Sequence, residues 1–187
     1  MISAVLDANV LYSASLRDFL LWLADSEAFF PYWTEKIQNE WVHSLLEKQS
    51  HLKPEKLERT CRIMDSRFPD SLVQGYEPII QTLQLPDTKD QHVLAAAIHK
   101  KAKYIVTFNL KDFPNTTLQS YNVEAISPDE FIQQLIPTSS HFIIEAARDN
   151  RSNLSNPPKT VEQYLDTLAQ QKLHKTVAFL REHKDKI

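Results

Sequence analysis

Glycine and cysteine are almost absent from this chain of 187 residues, which has Gly75 as its single glycine and Cys61 as its single cysteine. Phosphate-binding P-loops and dinucleotide-binding turns need several glycines, because their backbone must approach the phosphate closely. Neither kind of nucleotide site is therefore expected. A single cysteine cannot form an internal disulfide, which fits a reducing compartment.

Long apolar runs are also absent, since no stretch reaches the roughly 20 apolar residues that cross a bilayer. Met1 leads directly into ISAVLD without a basic segment, so no secretory signal is expected and the predicted location is the cytoplasm. The net charge is −3, and 42% of the residues are hydrophobic. This composition is that of a globular protein. The acidic balance does not by itself favour nucleic-acid binding, yet it is compatible with an enzyme that gathers carboxylates around a metal.

Strand and helix patterns alternate through the first part of the chain. The predicted strands cover residues 2–6, 29–33, 104–108 and 122–127. Helical patterns lie between them, so we predict an α/β fold, a sandwich with a mostly parallel central sheet. Only helical patterns and a loop, RSNLSNPPK, follow residue 136. We therefore predict one domain over residues 1–136 and a helical C-terminal extension over residues 137–187.

Three residues have the character of helix N-caps. Thr34 precedes an apolar stripe of spacing four, and Thr88 and Ser127 each precede a further helix. Gln91 and Glu130 stand three residues after the latter two, which predicts a capping box at each helix start.

Four carboxylates follow or open predicted elements at one edge of the sheet. Asp7 ends the first predicted strand, Asp112 follows the third, and Asp90 opens the helix before that third strand. Glu40 lies one turn into the helix after the second strand. The carboxyl ends of parallel strands meet at one edge of a sheet, where the returning helices also begin. We therefore predict that the four carboxylates converge.

Neighbouring carboxylates repel one another unless a cation compensates their charge. Hard oxygen ligands select Mg²⁺ or Mn²⁺, ions that activate water and stabilise charge developing on a phosphodiester. Asn9 is suited to orienting Asp7, and Thr107 and Asn109 are suited to the same task beside Asp112. The pattern predicts a metal site for phosphodiester chemistry.

Each carboxylate also has a purely structural interpretation. Asp7 is compatible with a turn after a strand, and Glu40 with a solvated helix face. Asp90 would stabilise its helix N-terminus, and Asp112 would cap a turn before Pro114. Taken singly, Asp90 and Asp112 favour the structural interpretation. The coincidence of four positions on one edge favours the metal site.

Four segments together resemble the PIN-domain family. They are LDANV at the N-terminus, NEW at 39–41, KDQHVLAAAI at 89–98 and VTFNLKDFP at 106–114. More narrowly, their order and spacing over about residues 1–130 resemble VapC-type toxins of prokaryotic toxin–antitoxin pairs. The tail containing NPPKTVEQYLDTLAQQKL resembles a helical extension found on some members of this group.

The resemblance implies a three-layer α/β/α fold and a Mg²⁺- or Mn²⁺-dependent endoribonuclease, with RNA as substrate, a VapB-like antitoxin as partner and often a homodimer. The implied catalytic and metal-binding residues are Asp7, Glu40, Asp90 and Asp112. The family often has a second acidic residue just before the third position, and Asp87 stands there. Many PIN proteins carry an aspartate where Asn109 stands, so Asp112 would supply the fourth carboxylate here.

Other catalytic constellations are less complete. The Glu-x-x-His motif ending at His43 would need a second copy and further glutamates to form a di-iron bundle. Aspartyl phosphatases resemble the segment around Asp7, but they carry an aspartate where Asn9 stands. No histidine has zinc-ligand spacing with another or with Cys61, and no serine or cysteine nucleophile motif is present.

A hypothesis of another class is a catalytically silent PIN-fold module that binds RNA or a protein partner. The acidic net charge and the altered fourth carboxylate favour it. Two basic clusters, at 53–67 and 100–103, are equally compatible with a solvated surface and with phosphate contacts.

Overall fold

A computed structural model describes residues 1–155 and 157–187. The chain divides into two compact units. We call the first the sheet unit, Ser3–Tyr12 and Pro31–Ile126, and the second the helical unit, Met1–Ile2, Ser13–Phe30 and Ser127–Ile187.

A four-stranded sheet has the order β2-β1-β3-β4. The strands are β1 (Ser3–Leu6), β2 (Phe30–Tyr32), β3 (Tyr104–Val106) and β4 (Glu124–Ile126). β1 and β4 run parallel to β3, with Leu6 and Ile126 both paired to Val106. The predicted α/β fold with a parallel sheet and C-terminal helices is confirmed. The register of β1 and β3 also brings residues 7 and 107 to the same edge.

Ten α-helices are found in the described residues, and none of them is long and apolar enough to cross a membrane. They are α1 (Ala8–Leu11), α2 (Ala14–Asp25), α3 (Glu35–Lys48), α4 (Pro54–Arg67), α5 (Glu77–Ile80), α6 (Gln91–Lys100), α7 (Asn115–Leu118), α8 (Pro128–Asn153), α9 (Val161–Gln170) and α10 (His174–Arg181). Short 3₁₀ turns at Thr88–Asp90 and Leu110–Asp112 precede α6 and α7.

The start of α3 follows the sequence prediction. The Thr34 hydroxyl accepts a hydrogen bond from the Ile37 backbone N–H at 3.0 Å, which satisfies one of the helix's otherwise unpaired donors. Ile37, Trp41 and Leu45 form the buried face of α3, as their spacing of four predicts. This face fixes the rotation of the helix and therefore the direction of Glu40 beside Trp41.

The predicted capping box at Thr88 is wrong. Asp87 is the cap of the 3₁₀ turn, and its carboxylate accepts from the Lys89 N–H at 2.9 Å. Gln91 begins α6, and its side chain donates to the Leu83 carbonyl at 2.9 Å instead of reaching back to the cap. Two good capping residues stand side by side here, and Asp87 has the extended backbone that a cap requires.

The helical unit contains α2, α8, α9 and α10. The Ser127 hydroxyl accepts from the Glu130 N–H at 3.4 Å, which confirms the predicted cap. α8 bends at Ser139, two residues after Pro137, because proline cannot donate the helical hydrogen bond. The predicted boundary between residues 136 and 137 lies within this helix, so the two-domain division stays a prediction.

Residues after the bend form the remaining C-terminal helices. The predicted loop RSNLSNPPK begins in the last turn of α8, and its Asn156 lies outside the described residues. α9 opens with a capping box between Thr160 and Gln163. The buried Tyr164 hydroxyl then donates to Asn150 of α8 at 2.8 Å.

Asp65 of α4 joins two buried side chains near the start of α3. Trp33 Nε1 and Gln38 Nε2 each donate to Asp65 Oδ1 at 2.8 Å. Both donors are buried, with exposed fractions of 0% and 5%. The pairing orients the helix that bears Glu40.

We predict that Asp65→Ala lowers the free energy of unfolding by about 2–4 kcal/mol, because it leaves two buried donors unpaired at about 1–3 kcal/mol each. Urea denaturation measures the change. Asp65→Asn keeps the Oδ1 acceptor and is the matched control, for which we expect a smaller loss. Equal losses in the two variants would contradict the proposed role of the shared acceptor.

Candidate active site

Asp7 lies at the carboxyl end of β1 and is only 6% exposed. Its backbone N–H donates to the Val106 carbonyl of β3 at 3.1 Å. Its side chain caps α1 by accepting from the Ala8 N–H at 2.7 Å. Burial raises the pKa of Asp7, while the hydrogen bonds that its carboxylate accepts oppose that rise.

A hydrogen-bond network holds the second oxygen of Asp7. Asp7 Oδ2 accepts from the Thr107 hydroxyl at 2.7 Å and from Asn9 Nδ2 at 2.5 Å. Asn9 Nδ2 also lies 2.8 Å from Thr107 Oγ1. Thr107 is fully buried at the end of β3, where the strand register sets it beside Asp7. The two strand ends are therefore joined by side chains as well as by the backbone.

The loop after β3 continues this network. Asn9 Oδ1 accepts from the Phe108 N–H at 3.0 Å, and Thr107 Oγ1 accepts from the Asn109 N–H at 3.0 Å. The Asn109 side chain then donates to Asp112 Oδ2. Asn109 thus links Asp112 to the network around Asp7.

Glu40 is half-buried on α3 and faces His92 of α6. His92 Nε2 lies 3.0 Å from Glu40 Oε1, although the approach lacks hydrogen-bond geometry, and Nδ1 has no hydrogen-bond partner within the described residues. The His92 side chain is only 1% exposed. His43, by contrast, is exposed and lies 3.1 Å from Glu47. The histidine beside Glu40 is therefore not the one in the Glu-x-x-His motif.

Asp90 is half-buried between the 3₁₀ turn and α6. The pKa of Asp90 is raised from its ordinary value of 3.8 to about 6, and burial is the largest cause. Repulsion from Asp7, Asp87 and Asp112 contributes to this rise, and His92 opposes it. Asp90 therefore senses the charges of three other carboxylates.

A cleft of about 390 Å³ lies over these side chains in the sheet unit. The residues that line it are Asp7, Ala8, Asn9, Tyr12, Glu40, Trp41, Ser44, Lys48, Asp90 and Asn109. Three of the four predicted carboxylates thus face one cleft, together with two of the predicted supporting amides. Thr107 contacts this set through Asp7, Asp112 through Asn109, and Asp87 through its effect on Asp90.

Sequence reasoning did not find His92, Tyr12, Ser44 or Lys48. Ser44 and Lys48 follow Glu40 at intervals of four on α3, so helical periodicity carries a signal for both. His92 stands in an apolar run after Asp90, where its sequence context is that of a core residue. No pattern distinguished it before the packing of α3 and α6 was known.

The donor set fits a hard divalent cation by its chemistry, since it consists of carboxylate and amide oxygens. Repulsion from three neighbouring carboxylates contributes to the raised pKa of Asp90, although burial is the larger cause. Within the part of the chain that the structure describes, no group of three or more His, Cys, Asp or Glu side chains is arranged to hold a metal ion. The carboxylates are close, but they are not assembled as ligands of one ion.

Comparisons with known proteins agree with this geometry. The family model described as "PIN domain" matches residues 3–111, and the model described as "VapC50 C-terminal domain" matches residues 128–182. The chain is 34% identical over 97 residues to "Putative ribonuclease VapC50" of Mycobacterium tuberculosis (strain ATCC 25618 / H37Rv). That match covers 52% of this chain and 57% of the relative, so it spans little more than half of either protein. No solved structure matches the chain.

Asp90→Asn tests the electrostatics of the cleft. Since the pKa of Asp90 is about 6 in the folded protein and near 3.8 when unperturbed, the folded state binds this proton more tightly. The contribution of Asp90 to the free energy of unfolding therefore becomes more stabilising as pH falls through about 6. We expect Asp90→Asn, which mimics the protonated form, to unfold at a higher temperature than the wild type at about pH 7.5 in EDTA.

The stabilisation of Asp90→Asn relative to the wild type should shrink as pH falls and disappear near pH 4, because Asp90 of the wild type is then protonated as well. Thermal unfolding across this pH range measures it. Asp70→Asn, at an exposed position, is the matched control. A stability difference that stays constant from pH 7.5 to 4 would rule out the raised pKa as its cause.

Proposed function

Because the chain belongs to the PIN-domain family, we propose that it is a divalent-metal-dependent endoribonuclease that hydrolyses phosphodiester bonds of RNA. The main support for this proposal is the gathering of carboxylates in the cleft. Asp7, Glu40 and Asp90 come from three separate elements and line the same small space. Such a gathering of like charges is destabilising unless it serves to bind a cation.

The proposed ligands of Mg²⁺ or Mn²⁺ are Asp7, Glu40, Asp90 and Asp112. A divalent ion supplies water activation and stabilisation of the charge that develops on the phosphate. The raised pKa of Asp90 supports the assignment, because burial and neighbouring carboxylates make the cleft a poor environment for its charged form. A cation would remove that penalty.

The chain's own residues have distinct parts in this proposal. Asp7 is the fixed member, since three donors hold its two oxygens. Asp112 accepts a hydrogen bond from the Asn109 side chain and is the fourth proposed ligand. Asn9 and Thr107 keep the Asp7 carboxylate in one orientation, which lowers the cost of ordering it when the ion binds.

In this proposal a neighbouring histidine orients Glu40. His92 is buried against it, with Nε2 3.0 Å from Glu40 Oε1, and this close contact restricts the rotation of the Glu40 side chain. In this proposal His92 is a positioning residue that acts through Glu40. Asp87 caps the 3₁₀ turn that ends in Asp90 and so fixes the backbone from which Asp90 extends.

The family match also supports a biological role. We propose that the protein is the toxin of a VapBC-type pair, acting on cytoplasmic RNA and restrained by a VapB-like antitoxin. A homodimer is part of the same proposal. Support comes from the match of residues 128–182 to the VapC50 C-terminal domain.

A catalytically silent module that binds RNA or protein is the second candidate. One observation favours it, namely that no three carboxylate or histidine side chains among the described residues are arranged to hold an ion. Calorimetry with Mn²⁺ separates the two candidates, because only the nuclease requires a saturable metal site.

RNA cleavage is the direct test of the proposed nuclease. Purified protein is expected to cleave single-stranded RNA with Mg²⁺ or Mn²⁺ and to lose this activity in EDTA. Asp7→Asn and Asp90→Asn should each reduce the rate by more than about 100-fold, because losing a ligand exceeds the 10–100-fold effect typical of its outer partners. Asp70→Asn should cleave at the wild-type rate. Equal cleavage by all four proteins would disprove the proposal.

His92 provides an independent test through metal binding. We expect His92→Phe, which keeps a ring but removes the nitrogens, to weaken Mn²⁺ binding by about 10-fold or more. His92→Gln restores a polar group toward Glu40 and should recover part of the affinity. Calorimetry measures both, and thermal unfolding verifies that the variants fold. Unchanged Mn²⁺ affinity in folded His92→Phe would exclude a positioning role.

A further inference from the structure

Two exposed apolar side chains stand in the loop beside the cleft. Phe108 is 39% exposed and Leu110 is 45% exposed. They flank Asn109, which lines the cleft, and they follow Thr107, which is fully buried. Large apolar side chains next to a polar site are a common feature of binding surfaces.

The backbone of Phe108 is fixed in place. Its N–H donates to Asn9 Oδ1 at 3.0 Å, and Asn9 in turn contacts Asp7 and Thr107. The aromatic residue is therefore anchored to the same network that holds the central carboxylate. A residue whose backbone is already fixed loses less conformational freedom when its side chain contacts a ligand.

The cleft also has a basic side chain on α3. Glu40, Ser44 and Lys48 follow one another at intervals of four, so they share one face of the helix, and all three line the cleft. Lys48 Nζ lies 5.2 Å from the centroid of the Tyr12 ring, within the range of a cation–π contact. This places a positive charge among the lining carboxylates.

We propose that Phe108 and Lys48 form a subsite for single-stranded RNA, in which an unpaired base stacks on the Phe108 ring and Lys48 contacts a backbone phosphate. The inference rests on the proposed function, because it takes the cleft as the place where the RNA backbone lies. Unstacked bases bind aromatic side chains, whereas paired bases are hidden within the duplex. The subsite therefore selects unpaired RNA over a double helix.

We favour RNA over a protein partner as the occupant of this surface. Among the described residues, Lys48 is the one lysine that lines the cleft, and it supplies a favourable charge for a backbone phosphate beside the carboxylates. A base then supplies stacking at Phe108, which tolerates any sequence because every base has a π-face.

Fluorescence anisotropy in EDTA, which prevents cleavage, tests the base contact. The probe is a fluorescein-labelled oligouridine of about 12 nucleotides, within the range of known single-strand site sizes. We expect Phe108→Ala to weaken its binding by about 5- to 100-fold, and Phe108→Trp to retain it. Ile63→Ala, which removes another exposed apolar side chain (56% exposed, on α4), should bind like the wild type.

An abasic strand of the same length separates stacking from charge. It should bind equally to wild type and Phe108→Ala, because no base is available to stack. Lys48→Gln should weaken the binding of both strands by the same factor. It should also make the slope of log affinity against log salt concentration shallower by about 0.7, because one phosphate contact is lost. Phe108→Leu replaces Phe108→Ala if the latter does not fold, and it should lose the base-dependent binding too.

Several outcomes would overturn the subsite. One is equal binding of oligouridine by wild type and Phe108→Ala. Another is that Phe108→Ala weakens binding of the abasic strand by the same factor as binding of oligouridine. A third is unchanged RNA binding together with weaker binding of the cognate antitoxin, which would assign the loop to a protein. If the protein does not cleave RNA but its RNA binding still depends on Phe108, the proposed nuclease function is wrong and the subsite stands. If Phe108→Ala changes neither RNA cleavage nor RNA binding, the subsite is wrong and the nuclease function stands.

Discussion

Burial of the Asp7 carboxylate is the constraint on which the site depends. A charged group at the end of a buried strand is tolerated only when its oxygens are hydrogen-bonded, and here Ala8, Asn9 and Thr107 supply the donors. The same bonds determine the neighbouring structure, since Asn9 also fixes the backbone of Phe108. Satisfying one carboxylate thus positions both the centre of the cleft and the loop at its edge.

The electrostatics of Asp90 show which of two effects prevails. A carboxylate in the first turn of a helix is normally stabilised by the dipole, by about 0.3–1 kcal/mol at exposed sites. The pKa of Asp90 is instead raised to about 6, with burial as the largest cause and three neighbouring carboxylates next. Stabilising α6 therefore does not explain this side chain. Burial and the neighbouring carboxylates disfavour the charged form of Asp90, and the proposed cation would offset this cost.

Sequence periodicity and strand order were sufficient to predict the edge where the site lies. Parallel pairing forces Asp7 and Thr107 together once β1 and β3 are recognised, whatever their side chains do. His92 could not be found in this way, because its contact with Glu40 exists only through the packing of α3 against α6, and a histidine in an apolar run has the pattern of a core residue. The cap at Asp87 was missed for a local reason, since Thr88 beside it has a similar preference and only backbone geometry distinguishes them.

The proposed action on RNA requires an acidic cleft to overcome repulsion between its carboxylates and the phosphate backbone. The net charge of −3 offers no general attraction for a polyanion, so affinity has to arise locally. In the proposed function a divalent cation would offset part of the carboxylate charge, Lys48 would add a contact on the face of α3 that bears Glu40, and stacking at Phe108 would be independent of charge. These three contributions respond differently to chelation, salt and loss of the base. We therefore expect RNA binding that weakens in EDTA yet keeps a base-dependent part, and a purely electrostatic binder would not show this pattern.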